Sequence, residues 1–421
     1  MKEIAVVTSG FLPVPNVLGG AVEALEMTVL DENEKEGKAV FRVYSIWNDE
    51  AFKKSRHYLN TRYHFIKTPT VIALMDNLIY RVVRKLALVE RTTTYRYLIQ
   101  RTWFIFRVAR DLRNNPADAI LVEDHPVLFN CLRLFGNRKR YRGRVYYHLH
   151  RDFTRDFGQA KLIADSKRVI GVSQFTIDSL ASFLKSKNGI ELDADQSRVV
   201  KNSVDLNRFN SSDGQVIRSA REMRMSLGIP LNSCVVAFSG RLTPEKGVEE
   251  LIKAFLRLKN PNVRLVIAGS HFYGTGTKSS FEERLWSLVE QDPERICFTG
   301  YLDYESMPAF YAMADIMCAP SLCEDAAPMA IVEALASGRP VVATRAGGIP
   351  EYAPAGTSVL IDRGEGMVDR LAEALEALIA SEDTRIEMSA RGIARMNGLD
   401  NSSYYASFIN ALDVPGNSEV G

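Results

Sequence analysis

The amino-acid sequence predicts an α/β fold with two domains, each built on a parallel sheet that helices cover. The length of 421 residues corresponds to two or three domains at about 150 residues per domain. Short apolar segments rich in β-branched residues alternate with helix-length segments, which is the pattern of parallel α/β sheets. Charge also divides the chain: residues 1–205 contain 33 Lys and Arg against 23 Asp and Glu, and the remainder contains 20 against 28.

The predicted strands form two groups, and the polar stretch Asn210–Gln215 marks the linker between them. We expect a first domain over residues 1–205, a second over 206–400, and a C-terminal helix and tail over 401–421 that could pack back on the first domain. The first group of strands comprises Glu3–Thr8, Phe41–Ile46, Ala119–Glu123, Arg144–Leu149, Arg168–Val172 and Arg198–Val200. The second comprises Cys234–Ser239, Val263–Ala268, Ile296–Thr299, Ile316–Ala319, Pro340–Thr344 and Ser358–Ile361.

The composition is typical of a globular chain, with 46% hydrophobic and 25% charged residues. No apolar run reaches the roughly 18 residues that span a bilayer, and the N-terminus lacks the apolar core of a signal peptide. The five cysteines are scattered without a C-x-x-C pair, so neither a disulfide framework nor a cysteine-rich zinc site is expected. These features predict a cytoplasmic protein, and peripheral attachment at the inner face of the membrane stays open.

A basic and aromatic helical region interrupts the alternation at residues 73–113. Leu78, Ile79 and Val82 keep a helical spacing, and basic residues occupy the remaining face. Residues 51–150 contain 20 basic and 6 acidic residues, which favours an anionic partner for the first domain. Nucleic acid fits poorly, because no RNA-binding aromatic motif or zinc finger is present. The region fits either a helix on an anionic membrane surface or a domain-capping helix pair with solvated arginines.

Ser239–Gly247 is the strongest local motif in the chain. It follows a predicted strand, turns at a glycine and leads into a predicted helix, so backbone N–H groups and the positive end of the helix meet at one place. Arg241 and Lys246 lie at the two ends of this turn. A guanidinium fork and a compact ammonium can together neutralise a diphosphate as it leaves.

A second motif extends over Pro320–Pro340. It leaves a predicted strand, passes through a loop with small residues and enters a helix that carries Glu333, whose carboxylate can accept two hydroxyl hydrogen bonds from a ribose. A third loop, Ala346–Glu351, follows the next predicted strand. Three loops at the carboxyl ends of strands in one domain predict a ligand site there.

These motifs resemble family 4 of the retaining glycosyltransferases, of the bacterial surface-glycan type, which have the two-domain GT-B fold. The first half adds four shorter matches: Gly19–Glu23, His148–Asp152, Gly171–Phe175 and Val200–Phe209. The resemblance implies two Rossmann-like domains whose parallel sheets face each other across a cleft. It also implies that the first domain binds the acceptor and that the second binds the nucleotide sugar.

The resemblance assigns roles to residues of the second domain. Arg241 and Lys246 match the basic pair that holds the donor diphosphate, and Glu333 matches the carboxylate that binds the nucleotide ribose. Asp325 stands where the family has a glutamate near the donor sugar, and Glu324 lies beside it, so which of the two approaches the sugar stays open.

The expected site also includes backbone groups and residues of the first domain. Because Asp325 is one methylene shorter than glutamate, the sugar contact could instead come from the backbone amides of Ala327, Pro328 and Met329. Gly19 and Gly20 match the glycine loop beside the donor phosphate and sugar. His150 matches the cleft histidine that contacts the donor sugar, although His148 lies on the same face of the strand.

Neither a metal nor a cofactor is expected beyond the nucleotide sugar itself, which acts as co-substrate and is expected to be UDP-linked. The two cations already supply the charge that Mg²⁺ would bring. His148, His150 and Asp152 form an alternative metal-ligand pattern. Asp193-Ala-Asp195 has the Asp-x-Asp form of metal-dependent sugar transferases, but its hydrophilic surroundings indicate a surface loop.

The expected activity is transfer of a sugar from a nucleotide sugar to a glycan or lipid-linked acceptor in cell-surface polysaccharide or lipopolysaccharide biosynthesis. His150, Arg241, Lys246 and Asp325 are the expected catalytic residues of a front-face reaction that retains configuration. Two alternatives stay open: a non-catalytic glycan-binding or assembly protein on a degenerate GT-B scaffold, and a GT-B sugar-nucleotide epimerase.

Overall fold

The computed structural model of the protein describes residues 1–85, 97–270 and 280–414, and the side chains of 83–85 are outside that description. The chain divides into two compact units. The first comprises Met1–Val172, Thr176–Val200 and the segment that starts at Tyr405, and the second comprises Ser173–Phe175 and Lys201–Tyr404. Each unit contains its own parallel sheet.

The sheet of the first unit has seven strands: β1 (Lys2–Val7), β2 (Ala39–Ile46), β3 (Thr61–Ile66), β4 (Ala119–Glu123), β5 (Val145–Leu149), β6 (Arg168–Gly171) and β7 (Ser197–Val199). Their order is β3-β2-β1-β4-β5-β6-β7, and every neighbouring pair is parallel. β4 and β5 are buried along their whole length, as expected for central strands with helices on both faces. The helices of this half are α1 (Ala21–Glu36), α2 (Asp49–Ser55), α3 (Thr70–Lys85), α4 (Leu98–Asn114), α5 (Asn130–Arg133), α6 (Asn137–Arg140), α7 (Ala160–Ala164) and α8 (Gln174–Asn188).

The sheet of the second unit has six strands: β8 (Cys234–Ser239), β9 (Val263–Ala268), β10 (Ile296–Gly300), β11 (Ile316–Ala319), β12 (Val341–Thr344) and β13 (Ser358–Ile361). Their order is β10-β9-β8-β11-β12-β13, again with all neighbouring pairs parallel. The remaining helices are α9 (Gly214–Ser226), α10 (Val248–Phe255), α11 (Ser280–Val289), α12 (Met307–Met313), α13 (Met329–Ala336), α14 (Ile349–Tyr352), α15 (Met367–Ala380), α16 (Glu382–Met396) and α17 (Asn401–Ala411).

The α/β fold with two parallel-sheet, Rossmann-like domains is confirmed. Of the thirteen strands in the described residues, twelve coincide with predicted ones to within two residues at either end, and β3 was not predicted. The basic region contains two helices, α3 and α4, while its residues 86–96 lie outside the described part of the chain, as do tail residues 415–421. Within the described part, no helix combines the length and the apolar character needed to cross a membrane.

The C-terminal segment from Tyr405 packs with the first unit through polar contacts. The Tyr405 hydroxyl donates to Asn33 Oδ1 at 2.7 Å, and Lys2 Nζ donates to the Leu412 carbonyl at 2.7 Å. Asp413 accepts from Arg168 at 2.7 Å. The division of the chain therefore lies between residues 200 and 201 and again between 404 and 405, whereas the predicted boundaries lie after residues 205 and 400.

Candidate active site

Three loops of the second unit leave neighbouring strands at the same edge of its sheet. β8 ends at Ser239, β11 at Ala319 and β12 at Thr344, and the three strands are adjacent in the sheet. The winding direction of the chain changes at β8, because β9 lies on one side of it and β11 on the other. Open α/β sheets bind ligands at the carboxyl edge beside such a change.

Lys246 and Asp325 form an ion pair between the first two loops. Lys246 Nζ lies 2.5 Å from Asp325 Oδ2, and the two side chains are 25% and 14% exposed. The Ser321 hydroxyl donates to the same carboxylate oxygen at 3.3 Å. Because an ammonium carries three N–H donors, this pair fixes the position of Lys246 and leaves donors for another anion.

Gly247 allows these two loops to pack closely. Its φ of +70° lies in the left-handed region, and a Cβ at this position would be 1.9 Å from the carbonyl oxygen of Pro320. Across the same junction, the Leu322 N–H donates to the Glu245 carbonyl at 2.8 Å. The close packing of the two loops therefore explains why the G-R-L-T-P-E-K-G run ends in glycine, which the sequence alone does not show.

Arg241 has a different environment from Lys246. Its side chain is 52% exposed, and the ion pair with Glu245 spans 3.9 Å, which is too long for a strong hydrogen bond. Arg241 lines a cavity of about 170 Å³ at the ends of β8, β9 and β10, together with Ser239, Gly240, Ala268, Gly269, Ser270, Tyr301, Leu302 and Met307. This volume is below the roughly 300–1,000 Å³ of a drug-sized ligand pocket, so it matches one part of a nucleotide such as a base.

Glu333 is a buried carboxylate on α13. The Tyr311 hydroxyl donates to its Oε2 at 2.7 Å, and Tyr311 also contacts Ser239, a lining residue of the cavity. Burial raises the pKa of Glu333 to about 7, although the hydrogen bond from Tyr311 and the charge of Arg208 act in the opposite direction. In its ionised form this carboxylate accepts hydrogen bonds from ligand hydroxyls through both oxygens, whereas in its protonated form one of the two oxygens carries a donor.

The loop before α13 corrects one expectation. Pro328 is the residue before the first turn of α13, and proline has no backbone N–H, so it cannot donate the expected hydrogen bond. Of the three predicted amides, only those of Ala327 and Met329 can act as donors. The Ala327 carbonyl accepts from Asn202 Nδ2 at 3.2 Å, which fixes the loop.

The two adjacent carboxylates, Glu324 and Asp325, have different partners. Glu324 pairs with Arg363 at 2.5 Å and accepts the backbone N–H of Gly347, whereas Asp325 contacts Lys246. Asp325 is therefore the one beside the predicted phosphate-binding lysine. In the third loop, Glu351 accepts the backbone N–H groups of residues 174 and 175, each at 2.8 Å, which is a helix-capping role.

The glycine loop of the first unit follows β1. Gly19 and Gly20 both have positive φ, and a Cβ on Gly20 would lie 2.3 Å from Glu23 Oε2. Asn16 closes the loop, because its side chain accepts the Gly19 N–H at 2.9 Å and donates to the Gly20 carbonyl at 3.3 Å. Glu23 in turn accepts from the Ser9 hydroxyl at 2.9 Å.

His150 directly follows β5 and contacts a buried carboxylate. Its Nε2 lies 3.2 Å from Glu123 Oε2 and 3.0 Å from His148 Nδ1, and His148 Nδ1 lies 3.1 Å from the same Glu123 oxygen. Burial and the neighbouring His148 lower the pKa of His150 to about 4, so the imidazole is neutral at neutral pH. Burial alone would raise the pKa of Glu123, but the two histidines outweigh it and lower the value to about 2.

The predicted metal-ligand pattern has a different membership in the structure. The ligand atoms of Glu123, His148 and His150 lie within 4.8 Å of one another, the one such group of three in the described residues. Asp152 does not join them, because it accepts from the Ser179 hydroxyl at 2.5 Å. In the Asp-x-Asp pattern, Asp193 caps the short 3-10 helix Ala194–Gln196, consistent with the surface loop expected there.

Three buried groups around these sites are not among the predicted site residues: Glu123, Glu26 and Tyr311. Glu26 lies on α1, and neither of its carboxylate oxygens has a hydrogen-bond partner among the described residues. Burial, with the charges of Glu123 and Glu23, raises its pKa well above the usual range. Glu123 had a readable signal, because it is a charged residue at the end of the otherwise apolar strand Ala-Ile-Leu-Val-Glu.

Part of the second unit is similar to a known family. Residues 219–395, which contain the Arg241, Lys246, Asp325 and Glu333 positions, match the family model described as glycosyl transferases group 1. The structure of Anabaena Alr3699/HepE in complex with UDP resembles the whole chain, with a TM-score of 0.72, 18% identity and coverage of 98% of this chain and 99% of that one. The two-domain GT-B fold is confirmed by this likeness.

Individual relatives match somewhat more than half of the chain. The D-inositol 3-phosphate glycosyltransferase of Corynebacterium glutamicum (strain R) is 31% identical over 55% of this chain and 54% of its own length. The lipopolysaccharide 1,2-N-acetylglucosaminetransferase of Salmonella typhimurium is 26% identical over 58% of this chain and 59% of its own. The chain spans only about half the length of these curated relatives.

Proposed function

We propose that the protein is a retaining glycosyltransferase of family 4 that uses a UDP-sugar as donor. The observation that carries this proposal is that Arg241, the Lys246–Asp325 pair and buried Glu333 all lie in the segments that follow the adjacent strands β8 and β11 of one sheet. The match of residues 219–395 to group 1 glycosyl transferases supports it. So do the names of similar proteins, which are glycosyltransferases or a protein described in complex with UDP.

In this proposal, the second unit binds the nucleotide diphosphate. The base occupies the cavity beside Arg241, and the ionised Glu333 accepts hydrogen bonds from the ribose hydroxyls. Arg241 and Lys246 contact the diphosphate, which gains negative charge as the glycosidic bond breaks. Positive charge that is already at the site before the reaction stabilises that negative charge more in the transition state than in the ground state, and it allows transfer without a metal ion.

The sugar is transferred on the face from which the nucleotide departs. The acceptor oxygen bonds to the anomeric carbon on the same face as the bond to the phosphate oxygen breaks, so the new bond has the configuration of the old one. The leaving phosphate oxygen takes the proton of the acceptor hydroxyl. Asp325 and His150 orient the sugar hydroxyls during this step. In this proposal, the sugar and phosphate also contact backbone groups. These are the N–H groups of Ala327 and Met329 and the glycine loop at Gly19 and Gly20.

We further propose a lipid-linked acceptor or glycan of the cell surface, delivered at an anionic membrane face. Helix α3 supports the membrane contact, because its residues at 71, 74, 75, 78 and 82 form one apolar stripe that is between 48% and 66% exposed. Its opposite side is fixed by Asp76, which accepts the N–H groups of Ile99 and Gln100 at the start of α4. The neighbouring helix, α4, carries exposed arginines, and an anionic membrane surface attracts such positive charges.

Vesicle binding tests the membrane contact. We expect the protein to sediment with vesicles of phosphatidylglycerol and phosphatidylcholine, and a Leu74→Asp, Leu78→Asp double variant to remain in the supernatant. Leu231→Asp is the matched control, because Leu231 is 68% exposed in the second unit. Equal binding by the double variant and the wild type would refute the role of α3.

Donor turnover tests the activity itself. A panel of UDP-, GDP- and dTDP-sugars is screened for protection against thermal unfolding, because a ligand that binds the native state stabilises it. The stabilising donor is then followed for release of nucleotide. Arg241→Ala and Lys246→Ala should each lower the rate by about 10²–10³ while the protein stays folded. Lys253→Ala is the matched control, since this lysine of α10 forms a surface ion pair with Glu249 at 2.7 Å.

Each alternative predicts a different result in the same experiment. Near-normal transfer by Lys246→Ala refutes the assigned role of the cations. Absence of stabilisation by every nucleotide favours a binding or assembly protein. Conversion of a sugar nucleotide to another one without any acceptor indicates an epimerase.

A further inference from the structure

Three ring and carboxylate atoms form a nearly equilateral triangle at the carboxyl ends of β4 and β5. The atoms are His148 Nδ1, His150 Nε2 and Glu123 Oε2, and the three separations are 3.0, 3.1 and 3.2 Å. All three side chains are nearly buried, with 1–6% exposure. The positions of the protons on these atoms decide which of them donate hydrogen bonds and which accept.

The carboxylate decides the protonation of the two nitrogens that face it. An ionised carboxylate only accepts hydrogen bonds, so an unprotonated nitrogen at 3.2 Å would place a lone pair against negative charge. His150 Nε2 therefore carries a proton and donates it to Oε2. His148 Nδ1 likewise carries one, and it also lies 3.3 Å from the second oxygen, Oε1, so the two donors can be shared between the two oxygens.

The other nitrogen of His148 agrees with this assignment. His148 Nε2 is buried and has no hydrogen-bond partner among the described residues. If the proton of His148 is on Nδ1, only a lone pair is unsatisfied at Nε2, whereas a metal ion on Nδ1 would force an unpartnered N–H into the same place. An orphaned buried N–H is rarer in native proteins than an under-satisfied acceptor. The triangle therefore fits two donated protons better than a bound metal ion.

The turn that carries Glu123 is itself fixed. Asp124 has a positive φ of 57°, and its carboxylate accepts from Arg151 Nε at 2.9 Å. Its backbone N–H donates to the His148 carbonyl at 2.7 Å. The ends of β4 and β5 are thus joined beside the triangle, so the carboxylate cannot easily turn away from the two rings.

We propose that Glu123 is a positioning residue that fixes His150 as a neutral imidazole protonated on Nε2, so that Nδ1 is the acceptor for a hydroxyl of the donor sugar. This role rests on the proposed function, because it supplies the acceptor that His150 needs to orient the sugar. Glu123 forms no covalent bond to the substrate, and it accepts hydrogen bonds from the same two imidazoles throughout the reaction. Its contribution is the tautomer and the ring orientation.

The tautomer can be measured without any activity. The sequence has six histidines, so selective ¹⁵N-histidine labelling gives a short set of long-range ¹H–¹⁵N NMR patterns at pH 7.5. His148→Asn and His150→Asn assign the two signals. We expect His150 to show the Nε2–H pattern in the wild type, and Glu123→Gln to change it to the other tautomer or to a mixture.

Kinetics with the donor complete the test. Glu123→Gln, which keeps the shape of the side chain, should lower kcat by about 10- to 100-fold with a smaller change in the KM for the donor, and Glu123→Asp should recover part of the loss. Asp111→Asn is the matched control, because Asp111 is also a carboxylate beside a histidine, 3.5 Å from His64 Nδ1. It should change neither the His150 pattern nor kcat.

Three results would overturn the proposal. One is an Nδ1–H pattern for His150 in the wild type. Another is an unchanged His150 pattern and kcat in Glu123→Gln. The third is a stoichiometric transition metal in the purified protein that Glu123→Gln or His148→Asn removes. A wild type that turns over no sugar nucleotide would refute the proposed function instead, and the NMR result would still decide the tautomer.

Discussion

The substitution Glu333→Gln tests two properties of the buried carboxylate on α13: its raised pKa and its capacity to accept hydrogen bonds. The folded protein raises the pKa of Glu333 from 4.5 to about 7, mainly by burial. Because the folded state then holds its proton more tightly than the unfolded state, the free energy of unfolding falls as the pH rises from 4.5 through 7. Above pH 7 the full free-energy cost of burying the ionised carboxylate is present.

The size of the effect follows from the two pKa values. At about 1.36 kcal/mol per pH unit, the difference between 4.5 and about 7 corresponds to about 3 kcal/mol. Glutamine has a similar shape and never ionises, so Glu333→Gln should stabilise the second unit by up to that amount at pH 8.5. The gain should shrink to about 1 kcal/mol at pH 5, where the carboxyl in the folded protein is already protonated.

Calorimetry as a function of pH measures this difference. For a unit of this size, about 3 kcal/mol corresponds to a rise in Tm of about 6–12 °C at pH 8.5. Glu249→Gln is a control of opposite sign, because the hydrogen bond from Lys253 lowers the pKa of Glu249 and makes its charged form stabilising. A Tm difference between Glu333→Gln and the wild type that does not grow with pH would refute the reasoning.

The same variant should bind nucleotide less well. A glutamine amide presents one acceptor and one donor where the carboxylate presents two acceptors, and hydrogen bonds to charged groups are worth about 1.5–3 kcal/mol. We therefore expect calorimetric titration at pH 8 to show at least about a tenfold weaker affinity for UDP. Equal affinity would show that Glu333 does not contact the ribose.

Three further substitutions test the contacts that hold the loops and the terminal segment. Gly247→Ala should destabilise the second unit by well over 1 kcal/mol in chemical denaturation, because its Cβ would lie 1.9 Å from a carbonyl oxygen. Asp325→Asn should lower stability by about 1–2 kcal/mol, since it leaves the largely covered Lys246 without its charge partner, and an unchanged melting curve would contradict the pairing. Asn33→Ala removes the acceptor of Tyr405 and two contacts to Ala39, and we expect faster proteolysis of the C-terminal segment under native conditions.

The sequence predicted most strands because parallel sheets covered on both faces require continuous apolar segments, and these are easy to read. β3 was missed for the same reason. It is an edge strand of its sheet, and its residues Thr61–Ile66 include an exposed arginine and a partly exposed histidine, so the segment lacks a continuous apolar run. The segment is a strand because its backbone pairs with β2, and that pairing is not local in sequence.

Helix α3 shows a second limit of pattern reading. Its helical spacing was recognised, but the periodicity of apolar residues does not tell whether they face a core or the solvent. Leu78 and Val82 are exposed, while the aspartate at position 76 is almost completely buried. A carboxylate that caps another helix is buried for a reason that only the fold supplies.

Side-chain pairing within the site was the least predictable part. Arg241 and Lys246 were recognised as a pair of cations, yet they differ, because one is half exposed and the other is held by Asp325. Glu123 was overlooked because its meaning depends on two histidines 25 and 27 residues further along the chain. Such relations are set by the register of β4 against β5, where Glu123 lies opposite His148.

The pairing of Lys246 with Asp325 changes how the site must handle an incoming diphosphate. A lone lysine would offer its full charge but would have to lose side-chain freedom on binding, which costs up to about 2 kcal/mol. Lys246 has already lost that freedom, because Asp325 holds it at 2.5 Å and Ser321 in turn contacts Asp325. The net attraction is smaller, since one carboxylate stays beside the phosphates, and so Arg241 must supply most of the uncompensated positive charge. We therefore expect Arg241→Ala to weaken UDP affinity more than Lys246→Ala, while Lys246→Ala affects the rate of transfer more than the affinity.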